Sequence, residues 1–245
     1  MLLIDIGNTS LKWAVWEGAE FKQKGSDRYQ LSETGTLCDK FFSILPAQNE
    51  IYISCVAGSQ VKNAIDLWLQ KNWQVKAVYV VSRNQQNGLV NAYSDVGSLG
   101  VDRWYAMMGA WLQYKKAFCI IDCGTAVTLD VVDNDGRHLG GVIIPGLNMM
   151  CSALQQGAEG VGAVSGQLID LASNTGDAVN SGCNQILVLG LESLVKKYRE
   201  RLGKDLLCIV TGGDGSHIAA QLSCDYIYEP DLILKGLKEA RVSGL

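Results

Sequence analysis

Two aspartates stand where apolar runs end. Asp5 closes Leu2-Leu3-Ile4 and is followed by Ile6-Gly7-Asn8-Thr9. Asp122 closes the run from Ala117 to Ile121 and is followed by Cys123-Gly124-Thr125. A second apolar run leaves each turn, Leu11 to Trp16 in the first case and Val127 to Val132 in the second. Both stretches read as strand, tight turn, strand. An ionised carboxylate withdrawn from water is costly unless cations or hydrogen-bond donors meet it. Two in the same context point to a pocket where something positive, such as a metal ion, is shared. Glycine lets a turn approach a ligand closely, and successive N–H groups in such a turn form an anion-binding concavity. A carboxylate that can hold a metal, beside a turn that can hold phosphate, is the equipment for a nucleoside triphosphate. The plain alternative is two β-hairpins with ordinary turn residues, and the recurrence of the pattern weighs against it.

Other residues have chemistry to offer but two readings each. Lys12 either reaches a phosphate or is an outward residue of an alternating strand. Asp102 and Arg103 open a helical pattern after Gly100-Val101. Asp102 is either a carboxylate favoured by the helix macrodipole or a base at a pocket mouth, with Arg103 beside it to grip an anion. Tyr93 is either a packed ring or a substrate wall. Thr175 is an N-cap candidate as well as a candidate substrate hydroxyl. Thr211-Gly212-Gly213 ends a further apolar run, Leu206 to Val210, and forms a third corner where backbone can meet a flat or anionic ligand. His138 reads as a strand cap.

These residues need elements to hold them. The first hairpin is predicted over 2–5 and 11–16, with a further strand and helix in 18–50. A strand over 50–56 and a helix bearing Val61, Ile65, Trp68 and Leu69 on one face follow, then a strand over 75–81. Residues 84–99 read as a loop. The helix from Val101 to about Lys116 has Val101, Tyr105, Met108 and Leu112 as its apolar face, which leaves Asp102 and Arg103 off it. After the central hairpin come a strand over 138–144, a helical stretch from Leu147, and an irregular Gly-rich segment to Gly166. A long helix over 184–202 is stopped by Gly203. Strands over 206–210 and 224–228 and a terminal helix from Asp231 to Arg241 close the chain. Strands and helices in this order predict an α/β layer structure.

Composition narrows the class. At 245 residues, 48% of them hydrophobic, the chain has material for packed cores in two halves. The net charge is −4 and no long basic stripe is visible, so nucleic acid is not an expected partner. The densest basic cluster, Lys196 to Arg201, falls on a helix and reads as a solvated face. No apolar run reaches the length of a membrane span, and Met1 leads directly into a strand with no signal peptide in view. Eight cysteines are scattered singly among apolar neighbours, as reduced core thiols of a cytoplasmic protein are.

Three glycine-bearing corners, each after an apolar strand, resemble the phosphate-1, phosphate-2 and adenosine segments of the acetate and sugar kinase, Hsc70 and actin superfamily. Within it, Asp5-Ile6-Gly7-Asn8-Thr9-Ser10-Leu11-Lys12, Gly100-Val101-Asp102-Arg103-Trp104 and Asp122-Cys123-Gly124-Thr125-Ala126, with their order and the chain length, are similar to the type III pantothenate kinases. The resemblance covers essentially the whole chain. It implies two similar ribonuclease H-like (actin-like ATPase) domains, 1–115 and 116–245, with a nucleotide cleft between them and a terminal helix returning to the first. It implies ATP-dependent phosphorylation of pantothenate, a homodimer, magnesium, and a monovalent cation, potassium or ammonium.

Residue by residue, it implies that Asp5 organises the magnesium and Asp122 binds the monovalent cation. Within an ATP-binding run of Asp5, Ile6, Gly7, Asn8, Thr9, Ser10, Leu11 and Lys12, the phosphates fall to Gly7, Asn8, Thr9 and Lys12, and to Gly124 and Thr125 on the other side. Gly212 and Gly213 flank the adenosine. Asp102 becomes the base, and Tyr93, Gly100, Val101, Arg103 and Thr175 join it in holding pantothenate. The chain departs from the family at one place: Val96 stands where proline usually follows the tyrosine, which implies a less rigid loop around Tyr93. Two other readings stay open at this point, a kinase of another small hydroxy acid or sugar, and a nucleotide-binding regulator without a small acceptor.

Overall fold

Leu2, Leu3, Ile4 and Ile6 expose no surface at all, so β1 (Leu2–Ile6) is a strand covered on both faces. A strand so placed is the centre of a sheet. In the computed structural model, which describes residues 1–30, 34–161 and 166–243, β1 pairs antiparallel with β2 (Ser10–Glu17), and β2 with β3 (Glu20–Arg28). Most of β3 is polar and exposed, as suits an edge that must not recruit a further strand. On its other side β1 pairs in parallel with β4 (Ile51–Cys55), and β4 with β5 (Val78–Tyr79). The sheet order is β3-β2-β1-β4-β5. Helices α1 (Thr34–Phe42) and α2 (Ser59–Asn72) supply Phe41, Phe42, Val61, Ile65 and Leu69 to the core over this sheet.

The loop predicted over 84–99 contains a small hairpin, β6 (Gln85–Gln86) and β7 (Leu89–Val90). Its turn residues Asn87 and Gly88 have φ of 50° and 85°. Asn-Gly between two short strands is the signature of such a turn, and strands of two residues are too short to show an alternating pattern. The strand predicted over 75–81 shrinks to two residues, Val78–Tyr79.

Helix α3 (Val101–Tyr114) corrects the single apolar face drawn for it. Every residue from Arg103 to Trp111 is buried, and Val101 and Leu112 are only partly so. The reason is a second layer of packing. Gly109 leaves no room for a side chain, since a Cβ there would lie 2.3 Å from the carbonyl oxygen of Leu232. That carbonyl belongs to the C-terminal segment, described below, which covers the face of α3 that periodicity alone would assign to solvent.

The second unit repeats the plan. β8 (Phe118–Cys123) pairs antiparallel with β9 (Ala126–Val132) and in parallel with β11 (Leu207–Thr211). With β10 (His138–Pro145) and β12 (Ile227–Tyr228) the order is β10-β9-β8-β11-β12, the same as in the first sheet. Helices α4 (Leu147–Gly157), α5 (Thr175–Leu202) and α6 (Gly215–Ala219) pack around it. Helix α5 begins nine residues before the predicted Asn184. Asn174, not Thr175, is its N-cap: the Asn174 side chain accepts a hydrogen bond from the Asp177 N–H at 2.9 Å. The small residues from Gly176 to Gly182 carried too weak a helical pattern to show this. Part of the Gly-rich segment, residues 162–165, lies outside the described residues.

The chain then returns: α7 (Leu232–Leu237) packs on α3 and β1, and a Cβ at Gly236 would fall on the Tyr105 carbonyl. By packing, the first unit comprises Met1–Lys115 with Gly136–His138 and Asp231–Leu245; the second comprises Lys116–Asp135 and Leu139–Pro230.

Candidate active site

In the first unit Asp5 sits in register between Lys12 on β2 and Ser54 on β4. Its carboxylate is half-buried and accepts a hydrogen bond from the Ser54 hydroxyl at 2.9 Å. The corner after it is closed by the Gly7 N–H donating to the Ser10 carbonyl at 2.9 Å. Tyr29 steadies the same corner, its hydroxyl donating to the Gly7 carbonyl at 2.6 Å and its N–H to the Thr9 carbonyl at 3.0 Å. Asn8 and Thr9 are exposed on the corner, whereas Ile6 and Leu11 bury their side chains in the core and can offer only backbone.

The start of α3 gathers a second group in this unit. The Asp102 carboxylate folds back to accept from the Arg103 N–H at 2.7 Å. Gly100 makes room for it, because a Cβ there would lie 2.6 Å from Asp102 Oδ1. Arg103 is only 5% exposed, a correction to its predicted place off the buried face. A buried guanidinium needs partners, and Tyr93 is one: Arg103 Nη1 donates to the Tyr93 hydroxyl at 3.0 Å, and the guanidinium lies 5.6 Å from the ring centroid. The Tyr93 backbone is held by Asn91, whose side chain accepts from the Tyr93 N–H at 2.9 Å. Val96 opens a short 3-10 turn, and the Asp95 side chain accepts from Gly97 N–H at 3.2 Å. Behind Tyr93 lies His138, 3% exposed, its ring 6.0 Å from the tyrosine ring and inclined by only 10°. Sequence reasoning missed this contact, since nothing local in either stretch announces the other. Tyr93, Gly100, Val101, Asp102 and Arg103 are thus one neighbourhood.

In the second unit Asp122 sits between Thr128 on β9 and Thr211 on β11. Three corners meet around it. The Gly146 N–H donates to the Thr125 carbonyl at 3.0 Å, and the Asp214 N–H to the Cys123 carbonyl at 2.9 Å. Gly212, at φ +95°, is required here: a Cβ would lie 2.3 Å from the Cys123 carbonyl oxygen and 2.5 Å from Asp122 Oδ1. Gly124, Asn148, Asn180, Asp214 and His217 line a pocket of about 270 Å³ beside these corners. Asn148 and His217 were not singled out from sequence, because neither belongs to a recognisable motif. Thr175 lies apart from this pocket. It is exposed at the start of α5 and lines a hollow of about 740 Å³ with Met150, Leu154 and Ile186.

Among the described residues no cluster of three or more His, Cys, Asp or Glu side chains could cage a metal ion. Magnesium keeps several waters and takes one or two carboxylates together with substrate phosphates. Asp5, half-exposed and beside a turn, fits such a role. Asp122, a carboxylate crowded by the Cys123 backbone and Gly212, offers the oxygen donors that a hard monovalent cation takes.

Two sheets of the same strand order, each with a carboxylate at the end of its central strand and a glycine corner after it, define the ribonuclease H-like fold of the actin-type ATPases and sugar kinases. Solved structures agree. A Campylobacter jejuni protein assigned provisionally to the Baf family of transcriptional activators superimposes with TM-score 0.61 at 21% identity over the whole of both chains. The activator of 2-hydroxyisocaproyl-CoA dehydratase from Clostridium difficile, with bound ADPNP, does so with TM-score 0.53 at 14% identity, over 99% of this chain and 96% of that one. The family follows from sequence. The profile of the type III pantothenate kinases matches residues 1–197. The chain is similar to the type III pantothenate kinase of Nitrosococcus oceani, 36% identical over 99% of this chain and 93% of that one. The chain belongs to the type III pantothenate kinase family.

Proposed function

We propose that this enzyme transfers the terminal phosphoryl group of ATP to the primary hydroxyl of pantothenate, yielding ADP and 4'-phosphopantothenate, the first step towards coenzyme A. The observation that carries the reading is the Asp102–Arg103–Tyr93 group at the start of a buried helix, in a chain similar to the family along its length. Phosphoryl transfer asks for in-line positioning and for neutralising charge on the phosphate oxygens, with little covalent chemistry from the protein.

Asp102 takes the proton of the attacking hydroxyl. General-base help of this kind is worth roughly 10²–10⁴-fold. Arg103 presents a planar fork to the pantothenate carboxylate, Tyr93 walls the acceptor, and Gly100 and Val101 complete the contacts there; Thr175, on the second unit, is the remaining residue that the family resemblance assigns to pantothenate. The Gly7–Asn8–Thr9 corner, with Ser10 and Lys12, and the Gly124–Thr125 corner hold phosphates through backbone N–H groups and hydroxyls. Gly212 and Gly213 let the adenosine approach the strand end. Asp5 would hold magnesium and Asp122 potassium or ammonium, and these cations would supply charge neutralisation at the phosphates when bound.

We infer a homodimer formed through the second unit. Ile143, Leu171, Ile186 and Leu189 are 60%, 88%, 67% and 60% exposed, on or beside β10 and α5, and a partner subunit would take aliphatic side chains of this kind out of water. We place the enzyme in the cytoplasm, where all eight cysteines, none in a disulfide, stay reduced. No helix among the described residues is long and apolar enough to cross a membrane.

The test is ADP release by pure protein with magnesium, with and without pantothenate, in potassium against sodium buffer. Release that requires pantothenate and potassium supports the reading. Release with another hydroxy acid or sugar alone would move the substrate elsewhere on the same scaffold. Acceptor-independent hydrolysis would favour a nucleotide-binding regulator.

A further inference from the structure

The tip of the β9–β10 hairpin belongs to the first unit. The chain leaves the second unit at Asp135 and re-enters it at Leu139, and Gly136–His138 pack with the first. The tip is fixed by main chain. The Val90 N–H donates to the Gly136 carbonyl at 2.9 Å, and Val90 bridges Arg137. Gly136, at φ +79°, fits against Gly88 and the Trp111 ring so closely that a Cβ would lie 2.4 Å from the Gly88 carbonyl oxygen. The residue so delivered is His138, and its buried ring lies flat on Tyr93.

A tyrosine ring on a loop has a mobile χ2. Here it is pinned from three sides: Asn91 at the backbone, Arg103 at the hydroxyl and His138 on the ring face. Remove the flat ring behind it and Tyr93 is free to tilt, taking with it the acceptor that holds the Arg103 fork. We propose that His138 is a positioning residue for the acceptor site: it touches no reacting atom, and it sets the plane of Tyr93 and through it the direction of the Arg103 guanidinium. This rests on the reading that Tyr93 and Arg103 hold pantothenate.

The test compares wild type, His138→Leu, which keeps bulk without a flat face, and His138→Phe, which keeps the face. Aromatic and cation–π contacts of this kind are worth enough to change an equilibrium roughly five- to tenfold. The expected result is a KM for pantothenate raised about five- to tenfold in His138→Leu, with kcat and the KM for ATP within about twofold of wild type, and recovery of most of that loss in His138→Phe. A second readout needs no substrate: the Tyr93 ring signal in tyrosine-labelled protein, assigned by Tyr93→Phe, should shift in His138→Leu and return towards wild type in His138→Phe. An unchanged pantothenate KM in His138→Leu, an equal rise in both KM values, or a His138→Phe protein no better than His138→Leu would overturn the proposal. If wild type fails to phosphorylate pantothenate, the functional reading falls, and the ring signal still decides whether His138 sets Tyr93. An unmoved ring signal rejects the proposal outright.

Discussion

Asp102 and Arg103 are neighbours in sequence with opposite burial, and each half of that contrast has a consequence. Asp102 stays partly exposed while its carboxylate is kept in place by the Arg103 N–H and the space left by Gly100. Replacing it by asparagine retains the shape and the hydrogen bond but removes the proposed base. Asp102→Asn should therefore lower kcat by about 10²–10⁴-fold with an unchanged melting temperature; near-normal turnover would remove Asp102 from the role. Arg103 is buried, and its fork is engaged with Tyr93. Lysine cannot reproduce a planar fork, so Arg103→Lys should raise the KM for pantothenate by about tenfold or more while the KM for ATP stays put. Titration calorimetry with pantothenate alone would check the same loss without turnover. The residue types were legible: a G-x-D-R run at a helix start announces an acid and a fork. The burial of Arg103 was not, because periodicity on one helix cannot see what a distant segment lays over it.

Among the elements, α5 and the α3–α7 crossing show how local signals succeed or fail. The helix start at Asn174 depends on one side-chain cap, and losing such a cap costs about 1 kcal/mol. Asn174→Ala should lower stability by about that amount, read from the denaturant midpoint. It should also loosen the segment that presents Thr175. The α3–α7 crossing tolerates nothing larger than glycine at Gly236, where a side chain would run into the Tyr105 carbonyl. Gly236→Ala must move backbone, and the cost of such overpacking is typically about 1–3 kcal/mol. Gly212 poses the same problem at the corner proposed for the adenosine. Gly212→Ala strains a left-handed residue and pushes on Asp122 and Cys123. It should weaken ATP binding far more than pantothenate binding, and fluorescent-nucleotide titration would show it. The glycine corners were legible as strand–turn signals. Which glycines are compulsory was not, because that depends on which backbones come within contact distance.

For the whole molecule, titration offers a test of how deeply the cores are closed. Burial pushes the Tyr29 hydroxyl up to about 12 and the Cys38 thiol up to about 12, and raises Cys151 to about 11. In each case the folded value exceeds the unfolded one, so the native chain keeps protons that the unfolded chain gives up. Their contribution is full below the ordinary thiol value, about 8.5, and is lost progressively as pH rises from there through the folded values. The urea midpoint should fall steadily above about pH 8.5; a midpoint that holds level to pH 11 would mean these groups are open to water. The proposed dimer can be checked separately. Ile186→Lys together with Leu189→Lys places charge on exposed apolar positions, and should shift the sedimenting species to monomer without unfolding either unit.

What the sequence by itself determined is the repeated plan. Apolar strands that end on Asp5 and Asp122, followed by glycine corners, specify two α/β units and are the corners to which we assign the triphosphate, because strand alternation and turn chemistry act over a few residues and are visible there. Only the tertiary structure decided that Arg103 is buried, that Gly136–His138 pack with the first unit, and that a histidine lies flat against Tyr93. Those facts come from chain segments far apart in sequence meeting in space, and contact between distant segments leaves no periodic trace in either.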